Sequence, residues 1–309
     1  MNLVRELEEY LALRRAFGAK LRGPDVSLRH FVTFMQDSLS PFVSTDIAVK
    51  WATQPSNASG VHHAARYRWV RGFSGFLHSK DPRHEIPPVQ LLNERPKRIS
   101  PYLYSDDEVV ALMGEACALP SAVGLRTSTC ATIIGLLSAS GMRLSEALGL
   151  ELEDVDLSGR VLTIRRTKFG KSRIVPVHPT TGEALEVYAK HRDKVFRIPR
   201  SCAFFVSEKG LRVRCDAVQR TFRALCDRLG FRALSNGRKP RLHDLRHRFA
   251  VRTLIEWYRQ GLDASRRLPV LSTYLGHARV ADTYWYLQAV PELLELAVRR
   301  LDRPSVEKP

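Results

Sequence analysis

His243-Asp244-Leu245-Arg246-His247, then Leu275-Gly276-His277, then Tyr286 nine residues further on: this run decides how the rest of the chain is read. Upstream, Gly141-Met142-Arg143-Leu144-Ser145-Glu146 contributes Arg143, and Thr167-Lys168-Phe169-Gly170-Lys171 contributes Lys168. Arg143, Lys168, His243, Arg246 and His277 are cationic or can become so, and Tyr286 is a phenol. Together they suit a tetrahedral phosphate anion. Guanidinium forks make paired, charge-assisted bonds to phosphate oxygens and stay charged. A phenol ionises near pH 10, and surrounding cations favour the phenolate, so Tyr286 is a candidate nucleophile. Lys168 or a histidine is a candidate proton donor to a departing oxygen.

Plainer roles compete for some of these residues. His243 and His247 are four apart on an expected helix, which is also a zinc spacing. Asp244 stands where the metalloprotease pattern needs glutamate, however, and Arg246 and Arg248 would oppose a cation. No metal and no cofactor are expected. His247 reads as a packed or supporting histidine, and Glu146 as a group that orients Arg143 or caps locally.

The chain has 309 residues, enough for two domains with separate cores. Lys and Arg number 49 against 32 Asp and Glu, a formal net charge of +17. Both parts are basic, with 15 basic against 9 acidic residues up to position 100 and 34 against 23 beyond it. That balance fits a polyanionic partner gripped by two domains. No apolar run approaches the ~18 residues of a membrane span, and the acidic Met1–Glu9 stretch is unlike a signal peptide. A cytoplasmic, nucleoid-associated protein without membrane contact is expected. The five cysteines form no C-x-x-C pair, so reduced thiols are expected.

Periodicity predicts a mainly α protein with a small antiparallel β-sheet. Residues 1–80 read as four short helices, with Ser27 capping the second and Thr45 the third. The basic stripe Arg66, Arg68, Arg71 is the candidate phosphate-facing element, weighed evenly against a solvated helix face. Residues 81–102, rich in proline and lacking periodicity, read as a linker whose Lys97 and Arg98 could lie along DNA. A second domain, 103–309, opens on the capping box Ser105-Asp106-Asp107-Glu108. In it, 126–139, 180–192, 214–229, 243–260, 267–275, 280–287 and 291–301 read as helices. Residues 152–157, 161–165 and 172–177 read as strands, with 167–171 as a hairpin turn. Arg165, Lys171 and Arg173 around that hairpin are further candidate DNA contacts.

The set of boxes, in this order, resembles the tyrosine recombinases, the family of phage integrases and Xer-type recombinases. Ser140-Gly141-Met142-Arg143-Leu144-Ser145-Glu146 looks like the first-arginine box. Thr167 to Arg173 is similar to the hairpin that carries the catalytic lysine, with Phe169 where glycine is usual. His243 to His247 looks like the H-x-x-R box, Leu275-Gly276-His277 matches the L-G-H box, and Tyr286 has the nucleophile spacing. The likeness runs over about residues 103–300. The helical N-terminal part resembles the family's core-binding domain in architecture alone.

The resemblance implies a mixed α/β catalytic domain and a site-specific recombinase. Tyr286 would form a 3′-phosphotyrosyl bond, Lys168 would protonate the leaving 5′-oxygen, and Arg143, Arg246 and His277 would hold the nonbridging oxygens. His243 would assist proton transfer. Four protomers would exchange strands of double-stranded DNA through a Holliday junction, without ATP, alone or with an accessory or partner recombinase. The segment after Tyr286 would dock on a neighbouring protomer. A mobile-element origin is implied by the Tyr-Trp-Tyr-Leu and Pro-Glu-Leu-Leu words. Two other readings share features: a type IB topoisomerase-like nicking-closing enzyme, and a non-catalytic DNA-binding regulator. Tyr284, two residues from Tyr286, is the rival nucleophile and is expected to pack. Residues 256–268 are expected to hold extra length between the last two boxes, as a longer helix or an added DNA contact.

Overall fold

The computed structural model describes residues 2–89, 91–92, 100–165, 172–234, 237–277, 279–288 and 293, without the side chains of residues 22 and 285–288. The chain divides into two compact units, Met1–Arg98 and Ile99–Pro309.

The first unit contains α1 (Leu3–Ala16), α2 (Arg22–Asp37), α3 (Thr45–Thr53) and α4 (Gly60–His78). Three of them begin where a side chain accepts a bond from an otherwise orphaned backbone N–H: Asn2, Ser44 and Ser59. The cap of α3 is therefore Ser44 rather than Thr45. Helix α2 starts five residues ahead of Ser27, after Leu21 in a left-handed conformation, so Ser27 lies inside the helix. Leu7, Leu11, Phe31, Met35, Trp51, Tyr67, Val70, Phe73 and Leu77 close a core at helical spacing.

The expected linker is partly tied down. Glu85 donates its N–H to the Val43 carbonyl (2.8 Å) and accepts from the Thr45 N–H (2.7 Å). The Val43 N–H donates to His84 Nδ1 (3.0 Å). Arg71 Nε and the Tyr67 hydroxyl donate to the Pro87 and Pro88 carbonyls (2.9 and 2.8 Å). A proline cannot donate, but its carbonyl remains an acceptor. Residues 81–89 thus act as a strap across α3 and α4.

The second unit contains α5 (Asp106–Cys117), α6 (Leu125–Ser140), α7 (Leu144–Ala147), a single 3₁₀ turn (Leu152–Asp154), α8 (Pro179–Val195), α9 (Cys215–Arg228), α10 (Leu242–Arg259), α11 (Ala264–Leu275) and α12 (Ala281–Gln288). The Ser105/Glu108 capping box forms in full. Strands β1 (Val155–Asp156), β2 (Val161–Ile164) and β3 (Arg173–Pro176) form an antiparallel sheet in that order, with Leu162 opposite Val175 and Ile164 opposite Arg173. The expected strand 152–157 shrinks to two residues because a 3₁₀ turn takes its first half. The extra length before His277 goes into α10, which reaches Arg259, and into α11, which begins at Ala264 rather than 267.

Helix α6 is buried almost all round and forms the axis of this unit, against α5, α8 and α10. It ends at Gly141, where φ is +61° and the N–H donates to the Leu137 carbonyl. A Cβ here would sit 2.5 Å from the Phe249 ring. Gly141→Ala should therefore cost about 2–4 kcal/mol, from left-handed strain and overpacking together. Denaturant unfolding of the variant checks this.

Candidate active site

The 275–277 turn is the point on which the site converges. Helix α11 ends there because Gly276 adopts φ +69°. Arg246 and Arg143 reach this turn from different elements. Arg246, on α10 and only 2 % exposed, donates to the Leu275 carbonyl (2.7 Å) and to the Gly141 carbonyl (2.9 Å). It thereby pins the start of the first-arginine box to the L-G-H box. Arg143, just ahead of α7, donates to the Gly276 carbonyl (3.0 Å). Its side chain keeps a third of its surface exposed.

Glu146 does more than orient Arg143: it joins Arg143 to Arg173. Its carboxylate accepts from the Arg143 side chain (2.8 Å), from the Arg143 N–H (2.9 Å), and from both ends of the Arg173 fork (3.1 and 2.7 Å). Burial opposes its ionisation, but the bonds from Arg173 and Arg143 outweigh that and hold it at about 2. Arg173 also donates to the Tyr274 carbonyl (2.8 Å). A Cβ on Gly276 would lie 2.7 Å from its guanidinium, which is why this position favours glycine. Arg173, expected as a DNA contact, is thus an interior ion-pair partner, with 11 % of its side chain exposed. Glu146→Gln should cost about 3 kcal/mol, since it leaves an interior guanidinium without its countercharge. Chemical denaturation against wild type measures it.

The histidines surround the same cations. The His243 and His247 rings meet edge to face at 5.0 Å. Burial pushes both down, with Arg246 and Arg241 contributing, His243 to about 4 and His247 to about 3. His243 nevertheless remains exposed to solvent as a residue. His277 is pushed to about 4 by burial, then by Arg246 and Arg143. All three are neutral at pH 7.

Unfolded histidines take up protons near pH 6.5, whereas these do so only well below that. Between those values the three histidines make unfolding take up protons and lower stability as pH drops from about 6.5 towards 4, while Asp244, raised to about 6 by burial, offsets part of that loss. Glu146 adds a second loss between about 4.5 and 2, where the unfolded carboxyl is the first to protonate on acidification. Thermal melts across pH 7 to 3 should show both windows; a melting temperature flat between pH 6.5 and 4.5 would contradict the histidine environments.

One residue is not singled out by any motif. Thr283, fully buried on α12, has its hydroxyl 2.8 Å from His277 Nδ1. It falls three positions before Tyr286, a spacing that shares a helix face. Tyr286 lies on the backbone of α12, and its side chain is outside the described residues. Tyr284, expected to pack, is 48 % exposed. Lys168 and Lys171, like Lys97 and Arg98, lie outside the described residues.

The other candidate DNA contacts divide. Arg66 is buried, stacked 3.6 Å from the centre of the Trp51 ring, and donates to the Trp51 carbonyl (2.8 Å). It is a packing residue of the first unit, not a phosphate-facing one, because indole stacking and helix packing enclose its head group. Arg68 is exposed, and Arg71, half-buried on α4, donates to the Pro87 carbonyl of the strap. Arg165 is half exposed and ion-paired to Asp154 and Glu153. Among the described residues, no group of three His, Cys, Asp or Glu could hold a metal, and no helix is long and apolar enough to cross a membrane.

The sequence profile of the phage integrase family matches residues 103–292, which contain every member of this cluster. The chain belongs to that family, the tyrosine recombinases. A relative from Sinorhizobium fredii, provisionally named integrase/recombinase y4rB, is 44 % identical over 96 % of both chains. The tyrosine recombinase XerC of Rhodospirillum centenum is 32 % identical over 83 % of this chain and 67 % of its own. Among solved structures, the Tn1549 transposon integrase in complex with transposon right-end DNA matches with a TM-score of 0.66 at 17 % identity, covering 98 % of this chain and all of that one. XerH recombinase bound to its palindromic difH substrate matches at 0.63 and 18 %, covering 91 % and 78 %. At such identities these two structures establish the shared fold of this recombinase. Membership of the family makes the chain a site-specific DNA recombinase, and neither the topoisomerase nor the regulator reading is favoured.

Proposed function

We propose that the chain cleaves and rejoins duplex DNA at a specific site, with Tyr286 as nucleophile and Arg143, Lys168, His243, Arg246 and His277 as its catalytic partners. The observation that carries this reading is the meeting of Arg143 and Arg246 on the turn that presents His277. Two guanidiniums fixed beside a neutral imidazole suit the charge that builds on a phosphate as its fifth oxygen approaches.

The phenolic oxygen of Tyr286 attacks phosphorus, and the bond from phosphorus to the sugar 5′-oxygen breaks. His243, neutral at pH 7, accepts the phenolic proton. Lys168 gives a proton to the departing 5′-oxygen. The phosphotyrosine retains the bond energy, and attack by another strand's 5′-hydroxyl reverses the step. Exposed cations, including Arg68 on the first unit, add sequence-independent affinity with steep salt dependence. The first unit serves as the core-binding domain. Two bound duplexes require four protomers, assembled by the segment after Tyr286, and the protein resides at the nucleoid.

A nicked suicide duplex carrying element-end sequences tests this reading in the presence of EDTA. An SDS-resistant protein–DNA adduct is expected. Tight binding without any adduct would overturn it, and relaxation of arbitrary supercoiled plasmid would favour nicking-closing activity instead.

A further inference from the structure

We infer that Thr283 is a positioning residue: its hydroxyl fixes the tautomer of His277 with the proton on Nε2, and it ties that imidazole to the helix carrying Tyr286. The inference rests on the recombinase reading for its consequence, but its geometry stands alone.

The Thr283 side chain is fully buried and its oxygen lies 2.8 Å from His277 Nδ1. A buried hydroxyl has one hydrogen to give, and leaving it unmatched is costly. Threonines on a helix often donate to the carbonyl four residues back, as Thr253 and Thr273 do here. Among the described residues Thr283 makes no such bond; the imidazole is its hydrogen-bonding partner. The hydroxyl must therefore donate to Nδ1. In a neutral imidazole the other nitrogen then carries the proton. Neutrality follows from the surroundings of the ring: protein burial first, then Arg246 and Arg143, with His243 adding to them and Asp282 opposing.

The consequence is chemical. An Nε2–H can donate to a phosphoryl oxygen, whereas an unprotonated Nε2 would turn a lone pair towards a negative charge. The second consequence concerns timing. Thr283 and Tyr286 are three residues apart on α12 (Ala281–Gln288), so they move together. The His277 ring is set as a donor while that helix is seated. Displacing the helix would release the nucleophile and the orientation of the imidazole in one motion. The site is then armed as a unit rather than residue by residue.

Thr283→Val keeps the shape and removes the hydroxyl; Thr283→Ser keeps the hydroxyl. In full-length protein labelled with ¹⁵N-histidine, long-range ¹H–¹⁵N spectra distinguish the tautomers without requiring activity. Wild type should show His277 as the Nε2–H form, Thr283→Ser the same, and Thr283→Val a mixture. Single-turnover cleavage of the suicide duplex should fall about tenfold in Thr283→Val with the DNA Kd unchanged, and Thr283→Ser should recover most of it. An Nδ1–H tautomer in wild type would overturn the inference. So would equal losses in both variants, which would mean packing alone, or a wild-type cleavage rate in Thr283→Val. Failure of the recombinase reading would appear separately, as no adduct from wild type at all.

Discussion

Tyr286→Phe should bind recombination-site DNA as wild type does and form no covalent adduct with it. The substitution removes one oxygen and nothing else. If that oxygen is the nucleophile, no neighbouring group replaces it, and the loss should be at least about 10⁴-fold, as for other enzymes stripped of their nucleophile. Tyr284→Phe is the informative partner. Residues two apart project about 200° from each other around a helix, and Tyr284 turns 48 % of its surface outward. It should therefore cleave near the wild-type rate. Gel-shift titration and SDS-resistant adduct yield, measured on the same preparations, separate binding from chemistry.

Arg246→Lys should lower single-turnover cleavage by about 10²–10³-fold, the range for loss of one preorganised donor. Charge is retained, so the effect isolates geometry. The guanidinium spans the Gly141 and Leu275 carbonyls, 2.9 and 2.7 Å away, from a position 2 % exposed. A single ammonium cannot reproduce that planar two-point span. One carbonyl is then left without its donor in the interior, at a cost of about 1–3 kcal/mol. The variant should consequently melt lower as well as react slower. Comparing rates at a temperature where both proteins are fully folded keeps the two effects apart. A variant that is destabilised yet cleaves at the wild-type rate would reduce Arg246 to a purely structural tie.

Part of this candidate site is readable from residue order, and the fold brings Arg143 and Arg246 to the turn that holds His277. Arg143, Arg246 and His277 stand in short boxes whose flanking glycines are explained by backbone geometry: Gly141 ends α6 and Gly276 ends α11, both at positive φ. The Ser105 capping box is equally legible, since its partners are three residues apart. Long-range pairing is what residue order conceals. Arg66 and Arg68 look alike in a basic stripe, and only the position of Trp51 turns one of them inward. Arg173 looks like a surface cation beside a hairpin until Glu146, 27 residues away, is brought against it. Thr283 carries no charge and sits in an ordinary helical stretch, so its bond to His277 emerges only from the fold. The proline-rich segment misleads for a related reason: absence of periodicity excludes helix, but it does not exclude a strap held by its carbonyls.

The most direct test of the central claim is the chemical identity of the protein–DNA bond. Wild-type protein would be trapped on a nicked suicide duplex in EDTA, digested with protease, and the nucleotide-bearing peptide sequenced by mass spectrometry. The expected peptide carries a phosphotyrosine at Tyr286 joined to the 3′ end of the cleaved strand, with a free 5′-hydroxyl opposite. Attachment at Tyr284, or through a 5′-phosphate, would contradict the account.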